Sequence, residues 1–441
     1  MKQNKRLSYL RIALFILVIA VGCVVGFIIP LRPTISENEG RKLTEFPTFT
    51  IESFLSGDYT SAINLWYSDT FPARDTLMAG NSTLKSAYGV KTEDFQGKGD
   101  KDEIDLDQDF VWEDDPTDDE SIHEMESETE PVEKEVIDGY YVNGDTAYQL
   151  YYFDKDYVDR YTKSVVNAAI KLDGIAQVYD IVVPTSPCIY LSDEDIEYLD
   201  CSDGNEAIEY IYKALDAYSN QLIAENKLTT PIKTIDVYPT LYAHKDEYIF
   251  FRTDHHWTGL GAYYTSRCFL DEVNRDYPPL SAYKEYQIDG FLGTLYKNTQ
   301  NANLKKTPDT VYAYESPTVK KLTVYDRHNN VYLEDVMINP NVTSSNKYLC
   351  FSSGDRAYYE IHNETINDGS AILVIRESYG NAFLPMIADS YEYVYAVDYR
   401  FWDDDLVAFV EEHNIDTVLF LNNLAMTVTN YNIWTLERCV K

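Results

Sequence analysis

The chain has 441 residues, with 73 acidic against 37 basic side chains and a formal net charge of −36. That length can bury one large core or two to three ordinary ones. The charge excludes nucleic acid as a partner, because phosphate binding rests on Lys and Arg neutralising the backbone.

Read in chain order, "MKQNKRLSYLR" is a basic cytoplasmic N-terminus (1–11), followed by Ile12 to Ile29, 18 apolar or small residues without a charge. That run is long enough to cross a bilayer. No A-x-A cleavage signal follows, so 12–31 is predicted to be an uncleaved transmembrane signal anchor. Lys2, Lys5, Arg6 and Arg11 should keep the N-terminus inside and place the bulk of the chain outside the membrane. Cys23 follows "AVG" as in a lipoprotein signal, but the apolar run continues past it, which favours a membrane-buried thiol. Residues 32–99 carry aromatic and apolar residues at helical spacing and are predicted to form a helical capping segment.

Between Asp100 and Glu135 stand 18 acidic and two basic residues. Like-charge repulsion and few apolar residues predict a solvated, disordered insertion over 100–138. An EF-hand starting at Asp105 fails, since Phe110 and Pro116 occupy the positions of its Gly and Glu.

From residue 139 to 441, short apolar β-branched runs alternate with helix-period stretches. Strands are predicted at 179–185, 247–252, 370–376, 392–398 and 416–422, and helices at 205–226, 258–276, 380–389 and 404–414. Near-continuous apolar strands between helices require a mainly parallel sheet covered on both faces. The fold class is therefore three-layer α/β, with the ligand crevice beyond the carboxyl ends of the strands. Residues 283–350, rich in Tyr, Asn and Thr, read as irregular loop plus antiparallel hairpins. The six cysteines (23, 188, 201, 268, 350, 439) include no C-x-x-C pair. Cys188 and Cys201 alone are close in sequence, and a bridge between them is allowed outside the cytoplasm without being required.

Two predicted strand ends carry chemistry: "RTDHHWTG" after "EYIFF", and "RESYGNAF" after "AILVI". Ser378 stands at a strand-to-helix turn, where a nucleophile can be raised beside backbone N–H groups able to hold an oxyanion. A serine needs a base, and Asp254 with His256 can supply one, the carboxylate holding one imidazole nitrogen while the other faces the serine. The plainer readings are that Ser378, or Asp254 with Thr258, caps a helix and that Trp257 packs. His255 and His256 alternate faces in extended chain, so one suffices as base and the other can pack or bond to backbone.

Together "RTDHHWTGLGAYY", "GFLGTLY…TPDTVYAY", "YLCFSSGDRAYYEI" and "ILVIRESYGNAFLPMIADSYEYVYAVDYRFW", with the opening "SENEGRKLTEFP" and "YSDTFPARD", resemble the DHHW family of bacterial extracytoplasmic proteins. That family is similar to the SGNH-hydrolase-like alginate O-acetyltransferases. The resemblance implies an SGNH-like domain with Ser378 as nucleophile, His256 as base and Asp254 as its orienter, the Asp-x-His pair preceding the serine in the chain. The family's residue before the serine is usually Asp, and here Glu377 stands there. Tyr379, Asn381, Tyr399 and Arg400 are the implied substrate contacts, with Arg400 reaching an acyl carbonyl or a sugar carboxylate.

The function implied is an O-acyltransferase, most simply an O-acetyltransferase, that modifies a cell-surface or secreted polysaccharide. Its acyl donor would be supplied by a multipass membrane-bound O-acyltransferase. A carbohydrate esterase shares the triad and differs in letting water win. A non-catalytic glycan-binding or assembly protein would use the 39 tyrosines as stacking surface. A metallohydrolase reading of "DHH" lacks further Asp/His ligands at a second strand end, so no metal or cofactor is expected.

Overall fold

The computed structural model describes residues 99–113, 139–325 and 331–441, with scattered positions between Arg32 and Gln96. It divides into two units, residues 1–91 with 296–306, and residues 92–295 with 307–441. In the first, the Arg32 guanidinium lies 3.7 Å from the Trp66 ring centroid and donates to the carbonyls of Trp66 and Tyr67. The expected anchor at 12–31 lies outside the described residues. Among those residues, no helix is long and apolar enough to cross a membrane.

The second unit is built around an eight-stranded sheet and also holds a three-stranded and a two-stranded sheet. In chain order its principal elements are α1 (Lys155–Lys171), β1 (Gln177–Val183), α2 (Gly204–Ala224), β2 (Lys233–Thr234), α3 (Gly259–Glu272), β3 (Lys284–Phe291), β4 (Asp309–Glu315), β5 (Lys321–Tyr325), β6 (Val331–Val336), β7 (Tyr358–His362), β8 (Ala371–Arg376), α4 (Gly380–Ile387), β9 (Tyr393–Asp398), α5 (Leu406–Glu412), β10 (Thr417–Asn423) and α6 (Asn430–Cys439). The sheet has eight strands in the order β6-β5-β7-β9-β8-β10-β1-β2. The five from β9 to β2 run parallel. β7, β5 and β6 extend one edge in antiparallel fashion, so the sheet is mixed.

Central β8 is buried at every residue, because both its faces are covered. Leu373 and Ile375 enter the core beneath α1, α2, α5 and α6, whereas Ile372 and Val374 enter the opposite core beneath α3 and α4. This alternation makes the three layers. Fully burying each such side chain is worth about 1.5–3 kcal/mol, so the two cores fix where β8 ends and where Ser378 emerges.

One expected strand is absent. Residues 247–252 form a loop closed by an isolated antiparallel bridge between Phe250 and Trp257. Ile249, Phe250 and Phe251 are buried in succession, without the alternation of a half-buried strand. The loop is tied instead to Asp309, the first residue of β4. Oδ2 of this fully buried carboxylate accepts from the Thr253 amide (2.7 Å) and hydroxyl (2.6 Å), and its Oδ1 from the Tyr248 hydroxyl (2.5 Å) and the Arg252 amide (3.2 Å).

The acidic insertion needs a second correction, over its first residues. Residues 100–113 are packed on α2: Phe110 meets Tyr210 edge-on with centroids 5.0 Å apart, and Trp112 meets Tyr218 at 5.5 Å. The Trp112 amide and carbonyl both bond to the Gln221 side chain, so Ile104, Leu106, Phe110 and Trp112 find apolar partners despite the acidic residues between them. Residues 114–138 lie outside the described residues. Trp112→Ala is expected to destabilise the domain by about 3 kcal/mol, whereas deleting 114–135 leaves the thermal midpoint in place. Calorimetry of the two variants checks this, and an equal fall in both would show that the segment acts as one piece.

Cys188 and Cys201 are both free, buried thiols.

Candidate active site

Two loops meet at the carboxyl end of β8. One is the Asp309-tethered turn that carries residues 253–257, and the other is the turn from β8 into α4. Trp257 joins them: it is fully buried and its indole N–H donates to the Tyr379 carbonyl at 3.1 Å. Its packing role is therefore a positioning one as well.

Ser378 Oγ lies 2.8 Å from His256 Nε2, and His256 Nδ1 lies 2.5 Å from Asp254 Oδ1. The helix-cap readings of these residues fail. Thr258 alone caps α3, accepting from the Gly261 amide, and the Ser378 side chain faces His256. Asp254 Oδ2 accepts from the amide (2.8 Å) and hydroxyl (3.2 Å) of Thr294. Burial disfavours this carboxylate, yet the imidazoles of His256 and His255 and the Thr294 amide hold its pKa well below the usual range. Asp254 stays charged and can steady an imidazolium. Tyr348 stacks on the His256 ring, with centroids 3.9 Å apart and planes 15° from parallel, and its hydroxyl donates to the Ser378 carbonyl at 3.2 Å. One buried side chain thus braces both His256 and Ser378.

His255 bonds to a side chain. Its Nδ1 lies 2.5 Å from Thr294 Oγ1, and its ring centroid lies 3.9 Å from that of His256. Burial first, and the neighbouring His256 second, push its pKa down to about 3, so it is neutral in the working range. Among the described residues, Asp254, His255 and His256 are the ones that could offer a metal ligand atoms within 4.8 Å of one another. Those atoms are already joined, Asp254 to His256 and His255 to Thr294, and one tripeptide supplies all three.

Glu377, in the place of the family's aspartate, is buried and fully used. Its Oε2 accepts from the Ser378 hydroxyl and the Tyr379 amide, both at 3.0 Å, and its Oε1 from the Asn423 amide at 3.1 Å. The single Ser378 proton therefore has two acceptors, Glu377 and His256. The Gly380 and Asn381 amides bond to the carbonyls of Glu377 and Ser378. The turn thus supplies fewer free N–H groups for an oxyanion than its strand-turn-helix pattern promised, and the Ser378 amide is the one with no acceptor among the described residues.

The four expected substrate contacts are placed differently. Tyr379 and Tyr399 are buried, the former with its hydroxyl donating to the His255 carbonyl. Buried Asn381 donates to Asp355 at 2.7 Å. Arg400 grips Asp398 with two bonds, of 2.9 and 2.7 Å, and reaches Asp355 at 3.1 Å, so its guanidinium is paired with protein carboxylates. Burial would raise the Asp355 pKa, but Arg400 and Arg376 outweigh it and hold it at about 2. These residues form a charged wall behind the site, and their polar groups are largely spent on protein partners.

Sequence reasoning assigned no role to Thr294, Gly293, Asp309, Tyr348 or Asp355. The available signal was that all five stand in the stretches "GFLGTLY", "TPDTVYAY" and "YLCFSSGDRAYYEI" that carried the resemblance.

Comparisons with known proteins agree with this architecture. The structure is similar to that of a DHHW family protein from Eubacterium siraeum, at 27% identity and a TM-score of 0.58, covering 68% of this chain and 94% of that one. It is also similar to Bacillus cereus PatB1 carrying a sulfonyl adduct, at 15% identity and a TM-score of 0.53, covering 66% and 97%. No curated protein matches. The family model described as "DHHW protein" matches residues 39–137 and 109–397, and the chain belongs to the DHHW family.

Proposed function

We propose that this chain is a membrane-anchored, extracytoplasmic O-acyltransferase that acylates a polysaccharide through an ester on Ser378. The observation that carries the reading is the hydrogen-bonded line Ser378 Oγ–His256 Nε2 and His256 Nδ1–Asp254 Oδ1. In the first half, Ser378 Oγ bonds to the acyl carbon while its proton passes to His256 Nε2 and then to the departing group. In the second half, a sugar hydroxyl attacks the ester, gives its proton to His256, and that proton returns to Ser378 Oγ as the serine leaves. Asp254 keeps its charge throughout and orients the imidazole.

Transfer to a polysaccharide, with the donor passed outward by a multipass acyltransferase, is supported by the sequence resemblance to alginate O-acetyltransferases and by the apolar run at 12–31. Incubating the full chain with an aryl acetate should place an acetyl group on the "RESYGNAF" peptide, read by mass spectrometry, and added glycan should then collect it. Acetate alone, with no acetylated glycan, would make the protein an esterase. For the topology, protease added to protoplasts should degrade the chain beyond Arg32; full protection would refute the orientation.

A further inference from the structure

The first histidine of the Asp-His-His run, His255, is left unused by the triad. Its surroundings define its chemical state. The carboxylate of Asp254 is acceptor-only, and a charged acceptor competes best for the single Thr294 hydroxyl proton. With that proton directed at Asp254 Oδ2, Thr294 Oγ1 can only accept from His255 Nδ1, 2.5 Å away. His255 is therefore the Nδ1–H tautomer, and its Nε2 carries a lone pair.

The direction of that lone pair follows from the same contacts. His256 Nδ1 is bonded to Asp254 Oδ1 at 2.5 Å, and His255 Nδ1 lies 3.9 Å from the same oxygen. Two neighbouring rings whose Nδ1 atoms both turn to one carboxylate present their Nε2 atoms on the other side, and for His256 that side holds Ser378. The His255 side chain is 25% exposed against 7% for His256, and its Nε2 has no protein partner among the described residues.

We infer that His255 Nε2 is an acceptor-binding group: it takes a hydrogen bond from the hydroxyl next to the one that attacks the Ser378 ester, so the preferred acyl acceptor is a vicinal diol of a sugar. Thr294 is the positioning residue that fixes the tautomer. The inference rests on the acyl-serine reading and deepens it.

The test uses the full chain acetylated by an aryl acetate, a panel of methyl pyranosides, their deoxy analogues, and ethanol. The readout is the ratio of acetylated acceptor to free acetate, which is a property of the acyl-enzyme and independent of how fast it forms. With the parental protein, at least one pyranoside should be acetylated, and removing the hydroxyl beside the acetylated one should lower the ratio about tenfold. His255→Phe should lower the pyranoside ratio about tenfold and leave the ethanol ratio in place. His255→Gln, whose Oε1 is an acceptor, should recover part of the loss, and Thr294→Val should lower the ratio as His255→Phe does. Equal ratios for His255→Phe and parent, an equal fall for ethanol and pyranoside, or no acetylated pyranoside at all would overturn the inference. Failure to form any Ser378 adduct would instead defeat the acyl-serine reading beneath it.

Discussion

Ser378→Ala is expected to abolish acyl-enzyme formation, because among the described residues Ser378 Oγ is the hydroxyl that bonds to His256 Nε2, at 2.8 Å. His256→Ala should slow acylation by roughly 10³- to 10⁶-fold, since the hydroxyl proton then has only Glu377 to go to, and a serine bonded to a carboxylate is not thereby turned toward an acyl carbon. Asp254→Asn keeps the volume and should still cost roughly 10⁴-fold. The amide can offer Nδ1 the wrong partner, and the fixed negative charge that steadies an imidazolium is lost. The measurement is the rate of the first aryl-alcohol burst for each variant, with circular dichroism to show intact folding. A parental burst in Ser378→Ala would remove the nucleophile assignment. A large loss in the burst of His255→Ala beside a small one in His256→Ala would exchange the roles of the two histidines.

The sequence was most legible where one kind of physics dominated. β8 was readable because a strand buried on both faces must be apolar at every position, and "AILVI" is. The meeting of Ser378, His256 and Asp254 was readable because a serine at a strand-to-helix turn and an Asp-x-His pair offer complementary hydrogen-bonding groups, although only Ser378 follows a strand. The loop at 247–252 was misread, because three consecutive buried residues look like a buried strand and nothing local announces that a carboxylate 57 positions away, Asp309, holds the Arg252 backbone. The stretch 100–113 was misread for the opposite reason. Its charge describes the side that faces water, while four apolar residues decide that it is held. Arg400, which the resemblance implies as a substrate contact, is paired with Asp398 and Asp355, and those pairings depend on a fold the local sequence does not announce. Thr294 and Tyr348 could not be read at all, since each acts through contacts set only by the tertiary fold.

Gly293→Ala should damage catalysis more than any other single methyl group placed near the site. A Cβ at Gly293 would stand 2.2 Å from both the Cβ and Oδ2 of Asp254, and something must move. The glycine backbone cannot retreat easily, because its amide donates to Thr253 Oγ1 at 3.1 Å and Thr253 is itself fastened to the buried Asp309. The Asp254 side chain must therefore yield, which breaks its bonds to Thr294 and misaligns His256. We expect a loss of roughly 10²-fold or more in acylation, as for other displacements of about an ångström in catalytic geometry, with about 1–3 kcal/mol of destabilisation from overpacking. Gly290 is the control. It has φ +80° and nothing within 4 Å of the position its Cβ would take, so Gly290→Ala strains the backbone by about 1 kcal/mol and leaves the burst rate unchanged. Burst kinetics and denaturant titration of the two variants separate the outcomes. If Gly293→Ala loses stability but keeps the parental burst, the close approach is only packing, and the Asp254 carboxylate must be held by His256 and Thr294 firmly enough to carry its neighbour's methyl group without moving.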